Sequence, residues 1–99
     1  MLAVHTATYM TEEEWMTELA AEGYSDIRVC PIIAGDTGQH THDLPTVHVV
    51  LTGELKITDA GGVRAFRPGD RVEFLAGTTH AADGGADGGS MLVGVKTKP

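Results

Sequence analysis

Ninety-nine residues are enough for one hydrophobic core and too few for two, so a single domain is expected. Hydrophobic residues make up 41% of the chain and charged residues 21%, a globular balance that excludes wholesale disorder. Fourteen Asp and Glu against seven Lys and Arg give a formal net charge of −7, which argues against a nucleic-acid backbone or an anionic membrane as partner, since both attract basic surfaces. Cys30 is the one cysteine, so no intrachain disulfide can form. Met1 to Tyr9 has no basic segment followed by an apolar run, and no apolar stretch approaches membrane-spanning length; a cytoplasmic location is the expectation.

Thr11-Glu12-Glu13-Glu14 is a helix start. The Thr11 hydroxyl can accept from the Glu14 backbone while the Glu14 side chain reaches back, a capping box, and Met10 and Trp15 occupy the staple positions on either side. Trp15 and Leu19, four apart, share one face, and Gly23 is a suitable stop. A helix over about residues 12–22 follows, and residues 1–25 form an N-terminal helical extension with His5 at its surface.

From residue 26 to 99 the texture is β. Ile27 to Ile33 is one strand, or two with a break at Pro31, which lacks a ladder N–H and favours a sheet edge. Val47 to Leu51 is β-branched, and Glu54 to Thr58 continues it after Gly53. Asp59-Ala60-Gly61-Gly62 makes a hairpin turn, Val63 to Phe66 returns, Arg67-Pro68-Gly69-Asp70 turns again, and Arg71 to Leu75 is the next strand. Asp83 to Gly89, with four glycines, reads as a flexible loop before a last strand, Met91 to Lys96. Short strands between Gly and Pro turns, preceded by one helix, indicate an all-β sandwich or barrel.

Four of the five histidines, His40, His42, His48 and His80, fall in the β region. Residues two apart on a strand share a face, so His40 and His42 present both imidazoles to one side. Neutral imidazole is the common nitrogen ligand of the divalent transition metals. On the tripeptide alone, the pair suits a solvated strand as well as half of a metal site. Closure needs a group from elsewhere, and His80, beyond two strand-and-turn units, could supply it.

Gly35-Asp36-Thr37-Gly38-Gln39-His40-Thr41-His42, followed by Gly53, resembles the first sequence motif of the cupins. Gly69 to His80, with Gly77 three residues before the histidine, resembles the second. The resemblance spans about residues 29 to 96 and rests on both motifs occurring in order with a short hairpin between them. It implies a double-stranded β-helix, or jelly roll. It also implies that His40, His42 and His80 hold one divalent metal ion, with Fe, Mn, Ni, Cu and Zn all open. Two positions depart from the pattern. Thr46 stands where the motif carries a glutamate, which removes an anionic ligand, and Leu75 stands where it carries a proline. His48, two residues after Thr46, falls on the same face, so it is a candidate fourth ligand, a candidate catalytic base beside the metal, or an interior histidine bonded to a neighbour.

If Thr46, His48 and Val50 face inward, Val47, Val49 and Leu51 face outward and need cover. The N-terminal helix, through Trp15 and Leu19, is one cover; a second subunit is the other, and a homodimer is the expectation. Gly84-Gly85 and Gly88-Gly89 carry no adjoining Lys-Ser or Lys-Thr and open no helix, so a phosphate cradle is not expected. Asp83 and Asp87 alone supply too few ligands for calcium. Cys30, among Val29, Pro31 and Ile32, reads as a buried apolar thiol, and Glu73, alternating with Val72 and Phe74, as a solvated strand residue with a base entering the cavity as the alternative. Three functions remain: a small metal-dependent enzyme of dioxygenase, isomerase or lyase type acting on a small organic molecule, a non-catalytic ligand-binding or sensor module, and a metal-free cupin using its histidines as acid–base or binding groups.

Overall fold

The computed structural model describes residues 2–5, 10–33, 35, 36 and 42–96, with the side chains of these except at 2–5, 35, 36, 86 and 87. The capping box forms as its residues dictate: the Thr11 hydroxyl accepts from Glu14 N–H at 3.1 Å, and Glu14 Oε1 accepts from Thr11 N–H at 2.9 Å. Two N–H groups that a helix start leaves open are thereby satisfied. Helix α1 runs Glu12–Ala21. Gly23, at φ 99°, ends it by taking a conformation that a side chain would resist.

Among the described residues seven strands follow or flank the helix: β1 Leu2–His5, β2 Tyr24–Ile32, β3 Gly35–Asp36, β4 Thr46–Asp59, β5 Gly62–Phe66, β6 Arg71–Phe74 and β7 Ala81–Lys96. All pairings are antiparallel, in the order β1-β6-β4-β7-β2, with β3 on β7 and β5 on β4. Pro31 does lie on an outer strand of this order, and the hairpin turn closes between Asp59 and Gly62.

Period-two alternation assigns the faces of β4. Val50 joins Ile32, Leu55, Ile57, Phe66, Val72 and Phe74 in the interior core, while Val47 and Val49 join Trp15, Leu19, Tyr24 and Leu92 in a second cluster under the helix. The inward set therefore changes from even to odd numbers between Val50 and Leu55. The register shift between Val50 and Thr52 accounts for the change, since it places one extra residue on β4; at the shift between Gly53 and Leu55 the extra residues lie on β7.

Four expectations are corrected. Residues 83–89 are not a loop; they belong to β7, where Gly53 pairs with Gly89 and Leu55 with Gly84. A Cβ on Gly53 would lie 2.1 Å from the Gly88 carbonyl oxygen, and one on Gly89 would lie 2.1 Å from that of Thr52. These glycines are there for backbone approach, not for flexibility. The N-terminal segment carries strand β1, registered on β6 from Leu2↔Phe74 to His5↔Arg71; the side chain of His5 lies outside the described residues. Cys30 is partly exposed instead of buried, because β2 is an outer strand. Glu73 is not simply solvated: it accepts from Arg71 at 2.5 Å and from the Tyr24 hydroxyl at 2.8 Å. Val47 and Val49 are fully buried beneath Trp15 and Leu19, with Leu51 packed partly against them. The face from which a second subunit was expected is covered within the chain. No helix among the described residues is long and apolar enough to cross a membrane.

Candidate metal centre

Two loops bring His42 and His80 together. The loop carrying His42 precedes β4, and the Gly77 N–H donates to the His42 carbonyl at 2.9 Å. Gly77 lies in the turn after β6, closed by Thr78 N–H to the Leu75 carbonyl at 3.2 Å, and that turn delivers His80 to the start of β7. The two stretches that resemble the cupin motifs are thus joined by a backbone hydrogen bond.

The rings meet as well. His42 and His80 have centroids 5.3 Å apart and planes 30° from parallel. Metal–nitrogen bonds of about 2.1 Å, with each imidazole centroid ~1.1 Å beyond its nitrogen, put two ligands of one tetrahedral ion about 5 Å apart. The observed spacing suits such a pair. His80 is 2% exposed, and its Nδ1 lies 3.2 Å from the Thr78 carbonyl oxygen. A carbonyl only accepts, so Nδ1 is the protonated nitrogen and Nε2 keeps the lone pair. That is the tautomer a metal-binding histidine needs, fixed by a neighbour of the kind that orients metal ligands.

His48 projects to the same interior, its ring edge-on to Phe74 with centroids 5.4 Å apart, and Phe74 in turn lies flat on His80. Nε2 of His42 and Nε2 of His48 are both buried. His40 lies outside the described residues. Among the described residues no three His, Cys, Asp or Glu form a group that could hold a metal ion. Thr46, at the place of the motif's glutamate, is 4% exposed and pairs across the sheet with Phe74. Among the described residues the buried polar ones are Thr46, Arg71 and His80, with no carboxylate among them.

Sequence reasoning missed the ion-pair network on the other face. Arg71, 6% exposed, donates to both Glu22 oxygens at 2.8 and 2.5 Å and to Glu73 at 2.5 Å. The paired carboxylates push the guanidinium up, and Arg71 holds the Glu22 carboxyl below its ordinary value of 4.5. Alternation along Arg71-Val72-Glu73-Phe74 was the available signal: it puts Arg71 and Glu73 together on the helix side.

Solved structures share this arrangement of strands. A cupin-2 domain protein from Shewanella frigidimarina is similar with a TM-score of 0.62 at 18% identity, over 68% of this chain and 65% of its own length. The chain thus matches just under two thirds of that protein. The chain has the cupin fold. A DUF861-family protein from Thermotoga maritima is similar over nearly its whole length (TM-score 0.63, 16% identity, 96% of this chain and 99% of that one). A cupin-superfamily protein from Desulfitobacterium hafniense is similar over 99% of this chain and 79% of its own, with TM-score 0.61 and 16% identity. No family model matches the sequence, and no curated protein matches it significantly.

Proposed function

We propose that this cupin binds one divalent transition metal ion, one of Fe, Mn, Ni, Cu or Zn, through His40, His42 and His80, and acts as a small metal-dependent enzyme on a small organic molecule. The observation that carries the reading is the His42–His80 pair, 5.3 Å between centroids, with His80 locked by Thr78 in the tautomer that offers Nε2. Three neutral imidazoles would leave the ion its full charge and an open position. A metal so held acts as a Lewis acid toward a carbonyl or binds a small oxidant, the chemistry of isomerases, lyases and dioxygenases.

The chain's own residues supply the rest. Phe74 and its apolar neighbours Val50, Val72 and Leu55 exclude water from the interior side of the histidines. His48, edge-on to Phe74 on the inward face of β4, takes a proton from the bound molecule. Elemental analysis of protein purified without a His tag is expected to return one metal per chain. His42→Ala and His80→Ala should each lose most of it. His48→Ala should keep the metal and lose turnover; a loss of metal in that variant would make His48 a fourth ligand instead. Metal-free wild-type protein after growth with each of the five metals supplied would overturn the reading.

A further inference from the structure

We infer that Thr46 is a ligand-positioning residue whose hydroxyl donates a hydrogen bond to an anionic group of the bound molecule, making a small carboxylate the favoured ligand class. The inference deepens the metal-site reading and rests on it.

Thr46 Oγ1 is buried and, among the described residues, has no hydrogen-bond partner. Buried hydroxyls are nearly always bonded, and an orphan is a standing cost to the folded state, so each needs an explanation. Thr46 begins β4, where the ladder satisfies its backbone and leaves only the side chain open. The direction of that side chain follows from the register. Thr46 is the cross-strand partner of Phe74, and such partners project from the same face of the sheet. The Phe74 ring packs on His80 and against His48, and His80 stacks with His42. His48 and Val50 follow Thr46 at two-residue intervals on that face, and Val50 is in the interior core. The hydroxyl therefore opens on the space bordered by the histidines, not on the helix.

The chemistry of that space chooses the ligand. Among the described residues its polar groups are imidazoles and one hydroxyl, and no Asp or Glu is buried. The acids nearest in sequence point elsewhere: Asp43 is exposed, and Glu73 is engaged by Arg71 and Tyr24 on the opposite face. With a dipositive ion present, no buried carboxylate among the described residues balances it, so an anionic ligand is favoured. A hydroxyl with its donor free completes such a site by a charge-assisted hydrogen bond, which is stronger than one to a neutral acceptor.

The test uses Thr46→Val, which keeps shape and branching and loses the hydroxyl, and Thr46→Ser, which keeps it. Formate is titrated calorimetrically into the Co(II)-loaded wild type and variants. Thr46→Val is expected to bind formate about tenfold or more weakly, with Thr46→Ser close to wild type. Metal-free Thr46→Val is also expected to melt about 4 °C or more above wild type, because a methyl group replaces an orphaned hydroxyl. Equal formate affinity in Thr46→Val and wild type, or a lower melting temperature, would overturn the assignment. Failure of the wild type to take up Co(II) would defeat the metal reading, and the metal-free melting comparison would still decide whether the Thr46 hydroxyl is held in reserve for a ligand.

Discussion

Phe74 lies face to face with His80, the ring centroids 3.9 Å apart and the planes 13° from parallel. One side chain thereby belongs to both the apolar core and the candidate metal centre. Phe74 is 1% exposed among Val50, Val72 and Leu55, so its own position is fixed by packing, and the His80 ring inherits that fixity on one face. The Thr78 carbonyl fixes it in the plane. An imidazole held twice over is oriented before any ligand arrives, which is what a precise site requires.

Replacing Phe74 with Leu keeps the apolar character and removes the stack. The expected cost is about 1–3 kcal/mol in urea unfolding, from imperfect repacking and the lost aromatic contact. The ring protons of His80 should shift downfield in NMR spectra as the shielding ring leaves. Unchanged His80 resonances would mean that the stack is absent in solution.

Metal removal should be legible in stability. An ion that binds only the folded state at about 100 times its Kd adds about 2.7 kcal/mol. A chelator should therefore lower the melting temperature of metal-loaded wild type by several degrees. The same chelator should leave His42→Ala and His80→Ala unmoved. A chelator response that survives in both variants would place the ion elsewhere.

What the sequence disclosed depended on whether local chemistry or tertiary pairing decided each element. The Thr11 capping box, the Gly23 stop and the Asp59–Gly62 hairpin are local, and each forms where its residues indicate. The faces of β4 were legible because period-two alternation is strict up to Val50. Strand β1 was not, since Leu2–His5 becomes a strand only by pairing with β6. His42 and His80 could be linked through motif spacing, and their rings do meet. The stack of Phe74 on His80 could not be foreseen, since it depends on the distance between β6 and the start of β7.

The glycines from Gly84 to Gly89 misled for a physical reason: the same lack of a side chain serves flexibility and close approach. The two uses separate by mutation. Gly89→Ala would drive a Cβ against the Thr52 carbonyl oxygen, 2.1 Å away, and should cost about 2–3 kcal/mol in denaturant unfolding. Gly85→Ala meets nothing within 4 Å and should stay within about 0.5 kcal/mol of wild type. A flexible loop at 83–89 would tolerate both changes equally.

The ion pairs beneath the helix set the pH range of stability. The Arg71 guanidinium, hydrogen-bonded to both Glu22 oxygens, holds that carboxyl below its ordinary 4.5, and the unfolded chain has no such pair. Below the unfolded value the unfolded state binds more protons, so this stabilisation is complete above about 4.5 and is lost as pH falls through the lower folded value. Glu22→Gln should lower the melting plateau at neutral pH, by about 1–3 kcal/mol because Glu22 is only partly buried, and should flatten the acid limb. At the alkaline end the sign reverses. Burial, then the hydrogen bond to Glu73, pushes the Tyr24 phenol from 10.0 up to about 12. Between those values the unfolded state has released a proton that the folded state keeps, so stability is intact below 10.0 and falls as pH rises through about 12. A near-ultraviolet phenolate titration should show that late midpoint in wild type and lack it in Tyr24→Phe. An acid limb in Glu22→Gln that superimposes on wild type would mean that Arg71 is satisfied by Glu73 alone.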